Sequence, residues 1–143
     1  MGFIVAKRYR IFGTTADVGV ESWGDTLSEA FEAQAEGMFD VMAELPGVRP
    51  VEDFNIEAEG ADDETLLVAF LNELLFLFDA RGVLFCEFKV AEIRGGKLKA
   101  AARGEKIDPS RHVMKTPVKA VTYHMIKAEK TPEGFRTRVV YDI

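Results

Sequence analysis

Apolar and polar residues alternate along this chain with a period that changes several times, and each change marks an element. Residues 7–12 and 17–23 read as strands; in the second, Val18 and Val20 alternate with Gly19 and Glu21. The pattern then stretches to helical spacing. In "DTLSEAFEAQAEGMFDVMAE", Leu27, Phe31, Met38 and Met42 fall on one face with Ala30 and Ala35 beside it. Thr26 and Glu29 fit a capping box at its start, and "LPG" at 45–47 ends it. Period two returns over residues 51–60, where Phe54, Ile56 and Ala58 predict a strand with one dry face.

The strongest helical signal covers residues 61–82. Asp62 or Asp63 can cap its start, acids fill its first turn, and Gly82 suits its end. Leu66, Leu67, Phe70, Leu71, Leu74, Leu75, Phe76, Leu77 and Phe78 make it apolar around much of its circumference. Such a helix has to be covered on more than one side. Each buried side chain of this kind contributes about 1.5–3 kcal/mol before the entropy of ordering it, so this helix is expected at the centre of the core. Beyond it only strands are predicted, at 83–92, 97–104, 117–128 and 134–142, with "RGG" (94–96) and "KTPEG" (130–134) as turns. Two helices among about seven strands joined mostly by hairpins predict an α+β fold, with the helices packed in two layers on a largely antiparallel or mixed sheet. Strand–helix–strand occurs twice early in the chain, which hints at an internal duplication.

Composition narrows the class. A length of 143 residues favours one domain, residues 1–143, around one main core, and 48% apolar with 29% charged residues fits a globular protein. The lone cysteine, Cys86, lies in the strand-like run "VLFCEFKV" and reads as a buried thiol; no cysteine–histidine cluster suggests zinc. "MGFIVAKRYRIF" lacks the apolar core and cleavage site of a signal peptide, and no membrane span is evident, so a cytoplasmic location is expected. The net charge of −6 hides an asymmetry: residues 1–93 hold 6 Lys/Arg against 19 Asp/Glu, whereas residues 94–143 hold 12 against 5. The acidic bulk disfavours strong direct nucleic-acid binding, while the basic tail can face an acidic partner or a phosphate.

Candidate chemistry rests on carboxylates. There is no phosphate loop, no GxSxG and no HExxH. Of the two histidines, His112 follows "IDPSR" in a loop, and His124 is expected to share a strand face with Val118, Ala120, Thr122 and Ile126, as a structural residue. The last strand ends in "VVYDI". If that end is fixed, Asp142 and the carboxylate of Ile143 lie within one residue of each other and call for a counter-charge, from lysine, arginine or a hard cation. Asp17, set among small residues at the start of its strand, would add a third oxygen donor if its strand lay beside the last one. Oxygen-only ligands favour calcium or magnesium over zinc. The plainer alternative is a solvated chain end and an Asp in a turn.

Several segments together resemble the archease family: "TADVGVESWG", "EAFEAQAEGMFDVM", "FLNELLFLFDARG", "DPSRH", "VKAVTYHM" and a terminal "YDI". The resemblance covers residues 10–143. It implies a non-enzymatic cofactor protein for the RtcB-type RNA ligase of tRNA splicing, promoting guanylylation of the ligase and its multiple turnover. It also implies a metal-binding site at Asp17, Asp142 and Ile143, with calcium foremost and magnesium or manganese as alternatives, and Lys119 on the same functional surface. Family members usually carry His before the "TAD" motif, where this chain has Thr14. Two other functions compete. One is a metal-dependent enzyme on a small phosphorylated compound, with Lys119 or Arg111 binding phosphate. The other is a chaperone-like scaffold, suggested by the very apolar second helix and the self-association it allows.

Overall fold

The structure is a computed structural model that describes residues 8–13 and 16–143; Thr14 and Lys7 lie outside the described residues. In chain order the elements are strand β1 (Tyr9–Gly13), strand β2 (Asp17–Gly24), helix α1 (Leu27–Met42), a 3-10 turn (Leu45–Gly47), strand β3 (Glu52–Glu59), helix α2 (Asp63–Arg81), strands β4 (Val83–Arg94) and β5 (Lys97–Lys106), the short strand β6 (Ala120–Val121), and strands β7 (Lys127–Thr131) and β8 (Gly134–Asp142). The fold is α+β, as the alternation predicts.

The helix ends follow their sequence signals with one change. Asp62 caps α2: its carboxylate accepts from the Thr65 N–H while the Thr65 hydroxyl accepts from the Asp62 N–H, and Gly82 closes the helix at φ 63°. At α1 the Thr26 hydroxyl accepts from the Glu29 N–H, but the Glu29 carboxylate reaches past Thr26 to the N–H of Asp25.

The strands divide into two antiparallel sheets where the sequence suggested one. The first has the order β1–β2–β8, with β6 and β7 both paired to the far edge of β8; the second has the order β3–β5–β4. Helix α1 packs on β1, β2 and β8 of the first sheet and on β4 of the second, while α2 packs on all three strands of the second sheet and on β6 and β7 of the first. The helices therefore fill the space between the sheets. This is why α2 is apolar on several sides: Leu66, Leu67, Phe70, Leu71 and Leu74 are all essentially inaccessible. Phe76 departs from the expected burial and is exposed, because it lies on the one side of α2 that no sheet covers. Stacked Phe31 and Phe70 (6.2 Å) tie the helices together, and Phe85 meets Phe39 and Phe54 edge-on at 5.5 and 5.3 Å.

Two local expectations change. The suggested duplication joins its strands differently in its two halves: α1 crosses from one sheet to the other, whereas α2 links β3 to β4 within one sheet, around β5. The predicted strand over residues 117–128 is interrupted. Only β6 and the start of β7 pair with β8, and a turn lies between them. No helix among the described residues is long and apolar enough to cross a membrane.

Candidate functional site

The register of β2 against β8 decides where the acids go. The strands run antiparallel from Gly24↔Phe135 to Asp17↔Asp142, so the first residue of β2 lies opposite the last residue of β8. On the other side of β8, Ala120 pairs with Asp142, and the Lys119 N–H donates to the Asp142 carbonyl oxygen at 2.8 Å. Strands β2 and β8 and the residue just before β6 thus bring Asp17, Asp142 and Lys119 to one end of the sheet, and Ile143 follows directly. Directly opposed residues in an antiparallel pair have Cβ atoms about 4.5–5.5 Å apart and share a face, so two like charges confront each other here.

The end of β8 is held from inside. Tyr141 is fully buried, and its hydroxyl donates to Gln34 Oε1 of α1 at 2.7 Å. Gln34 Nε2 in turn donates to the Val20 carbonyl (3.0 Å) and to Thr137 Oγ1 (2.7 Å). Ser22 completes the cluster, donating to the Ala30 carbonyl at 2.7 Å and touching the Thr137 hydroxyl. Burial pushes the Tyr141 hydroxyl well above its ordinary pKa, so it remains a proton donor. With Tyr141 locked inward, strand alternation turns Asp142 outward. The sequence carried two signals for this cluster that went unread: a glutamine between two alanines on the dry face of α1, and a tyrosine immediately before the final acid.

The small residues beside Asp17 have a packing cause. A side chain at Gly19 would come within 2.2 Å of the Phe12 ring, which lies across that position from the paired strand β1. Gly19 makes room for Phe12, and the Arg10 guanidinium sits 5.4 Å over the same ring. Further along this face Glu21 bridges Arg10 and Arg136, so the arginines gather away from the acid pair.

As a metal centre the site is open. Among the described residues no three Asp, Glu, His or Cys side chains converge as a ligand set. The donors at the end of the sheet are the carboxylates of Asp17 and Asp142 and the main-chain carbonyl of Ile143. That chemistry suits a hard cation, but calcium takes 6–8 oxygen ligands, so water or a partner would have to supply the remainder.

The other candidate groups are engaged elsewhere. His112 is buried: its Nδ1 accepts from the Asp108 N–H at 2.9 Å, which leaves Nε2 facing Glu105 Oε2 at 3.1 Å. Glu105 also takes both arms of Arg111 and the Arg49 N–H. Arg111, these contacts and the Arg49 amide hold its carboxyl down to about 2. Arg111 further donates to the Gly47 carbonyl. This cluster clamps the "DPSRH" loop to the 3-10 turn, and it engages Arg111, one of the two residues offered for binding phosphate, the other being Lys119. His124 is exposed in the turn after β6, so it shares no strand face with Val118 or Ile126. Cys86 is half-buried rather than buried, because its position in β4 faces the groove beside α1; its Sγ reaches the Arg103 carbonyl at 3.7 Å, and burial first, then Glu87, pushes its pKa up to about 11, which makes it a poor nucleophile.

Comparison with known proteins is unambiguous about kinship. The sequence profile of the archease protein family matches residues 9–143. Protein archease of Pyrococcus abyssi is 45% identical over 141 residues, covering 96% of this chain and 99% of its own length. Protein archease of Thermococcus kodakarensis is 47% identical over 131 residues, covering 90% and 92%. Among solved structures, the solution structure of protein 1598 from Methanobacterium thermoautotrophicum superposes with a TM-score of 0.85 at 35% identity, covering 96% of this chain and all of that one. A Thermotoga maritima structure described as an archease and possible chaperone shares the fold, with a TM-score of 0.63 at 22% identity over 92% of this chain and 94% of its own.

Proposed function

Because this chain belongs to the archease family and sets Asp17 opposite Asp142, we propose that it activates an RtcB-type RNA ligase of tRNA splicing. In this role it promotes guanylylation of the ligase and its multiple turnover, in the cytoplasm, and catalyses no reaction of its own. The acid pair is the observation that carries the proposal. Two facing carboxylates at a sheet end, pinned from beneath by Tyr141, form a preorganised anionic edge. Exposed Lys119, immediately before β6, bonds through its main-chain N–H to the Asp142 carbonyl. Such an edge can hold a divalent ion through Asp17, Asp142 and Ile143, calcium first and magnesium or manganese as alternatives, leaving coordination positions for the partner's ligands. The ion would offset the repulsion of the pair and place positive charge where the ligase handles its nucleotide; Lys119 would contact the same region. Because the site is open, its affinity in the absence of the ligase is expected to be modest.

The test uses purified ligase at substoichiometric concentration with GTP, manganese and RNA ends, following sealing over many turnovers. The protein stimulates the reaction, whereas Asp17→Ala and Asp142→Ala remain folded and do not. Calcium at about 100 times its dissociation constant stabilises the parent by roughly 2.7 kcal/mol in thermal unfolding, and both variants lose that shift. Normal stimulation by either folded variant removes the carboxylates from the mechanism. Hydrolysis of nucleotide by this chain alone points instead to a metal-dependent enzyme.

A chaperone-like role is the second reading, favoured by the exposed Trp23, Tyr123 and Met125 side chains and by the description of the Thermotoga maritima relative in fold. Suppression of aggregation of unrelated unfolded proteins, insensitive to Asp142→Ala, would favour it.

A further inference from the structure

The interruption between β6 and β7 is built rather than slack. From Val121, paired with Tyr141, to Lys127, paired with Arg138, the edge strand advances six residues while β8 advances three. Three residues are therefore thrown outward from the sheet edge, in the manner of an enlarged bulge. The excursion is tied down at both feet. The Thr122 N–H and hydroxyl both donate to the Val140 carbonyl, at 3.2 and 2.7 Å. The Ile126 N–H closes the turn on the Tyr123 carbonyl at 3.3 Å, and Arg138 Nε reaches from β8 to the Met125 carbonyl at 2.8 Å. Its tip carries Tyr123 at 58% and Met125 at 51% exposure, with exposed His124 between them. Met125 also holds φ 55°, the one left-handed non-glycine among the described residues.

Blunting the sheet edge explains the bulge but not its residues. A glycine or asparagine would protect the edge with little or no backbone strain and without presenting a ring and a thioether to water. A fixed, strained turn that displays tyrosine and methionine has the character of an interface anchor: both residue types are enriched in interface cores, and a preformed turn binds with little loss of entropy. Position supplies the partner. Thr122 bonds to Val140, only two residues from Asp142, which places the tip on the order of 10 Å from the acid pair along the same strand edge.

We infer that Tyr123 and Met125 are the docking anchors by which this protein grips the ligase, inserting into an apolar recess beside the mouth that the acid pair addresses. The inference rests on the activator reading above and separates two tasks within one sheet end: the excursion supplies affinity, and the carboxylates supply the effect.

The experiment titrates the full chain and its variants against purified ligase, with two readouts: anisotropy of fluorescently labelled ligase for binding, and rate of guanylylation for activation. Both side chains are exposed, so Tyr123→Ala and Met125→Ala keep the parent's melting temperature. Each weakens binding tenfold or more and raises the half-maximal concentration to match, with maximal stimulation preserved at saturation. Asp17→Ala shows the reverse, near-normal binding with no stimulation. Met125→Gly, which relieves the left-handed strain, raises the melting temperature yet still binds more weakly. Parent-like binding by both alanine variants in a system where the parent stimulates overturns the docking role and leaves the activator reading standing. Binding that depends on Tyr123 and Met125 without any stimulation by the parent upholds docking and refutes activation. An absence of parent binding, or a change in self-association in place of ligase binding, overturns the inference.

Discussion

Tyr141→Phe removes one oxygen atom from the centre of the molecule, and its consequence can be worked out from the contacts it breaks. The ring stays, so no cavity opens and the large-to-small cost is absent. The hydroxyl donates to Gln34 Oε1 at 2.7 Å in a region closed to water, where Tyr141 and Gln34 are both fully buried. Its loss strands that oxygen without a donor, because Gln34 Nε2 is already committed to Val20 and Thr137. A buried acceptor left unpaired costs about 1–3 kcal/mol. With a urea m-value of roughly 2 kcal/mol/M, a 2 kcal/mol loss lowers the unfolding midpoint by about 1 M. The slope should stay unchanged, because the surface exposed on unfolding is the same. Urea titration followed by circular dichroism measures both quantities. A double-mutant cycle with Gln34→Leu sharpens the test: once the stranded acceptor is gone, the phenylalanine costs little, so the two changes are non-additive by at least about 1 kcal/mol. A midpoint that hardly moves in Tyr141→Phe, or strict additivity in the cycle, would show that this hydroxyl does not hold the end of β8.

Two further outcomes follow from other parts of the fold. Glu105 has its carboxyl depressed to about 2, chiefly by Arg111 and then by the Arg49 amide and His112. Its stabilising contribution is therefore complete above the ordinary carboxylate pKa of about 4.3 and disappears as pH falls toward 2. Glu105→Gln should be less stable than the parent at pH 7, and the difference should shrink steadily below pH 4.5 in thermal melts; a constant difference across that range would contradict the assignment. Gly104 sits where an added Cβ would lie 1.8 Å from the Leu84 carbonyl oxygen. Gly104→Ala must force β4 and β5 apart next to the register shift at Phe85, so it should lose at least about 3 kcal/mol, read as a lowered melting temperature or as failure to fold.

Much of this architecture was legible in residue spacing, because the helices and long strands are two-state choices between periods. The apolar surround of α2 announced a helix covered on several sides, and the second sheet is the physical form that cover takes. Pairing was less legible. Spacing along one strand says nothing about its partner, so the meeting of Asp17 with Asp142 could be posed only as a condition on β2 lying beside β8. The resemblance to a family sharpened that condition, and the register met it. The edge strand failed for a different reason. Residues 118–126 alternate well enough to pass as a continuous strand, and the extra length shows only when Val121 and Lys127 are counted against Tyr141 and Arg138 on β8. An outward excursion leaves no mark in a one-dimensional pattern when its residues are as β-prone as the strand it interrupts. The smallness of Gly19 was illegible for a related reason: Phe12 crosses it from β1, a fact about a neighbouring strand. The proposed function lies in relations between strands, in a pair of acids placed by register and a turn placed by a register mismatch. Both relations converge on β8, with its outer edge carrying the excursion, its last position carrying Asp142, and Tyr141 between them fixing the strand to α1. A substitution that shifted β8 by one residue would turn Tyr141 outward and Asp142 into the core, so folding and the proposed site stand on the same register.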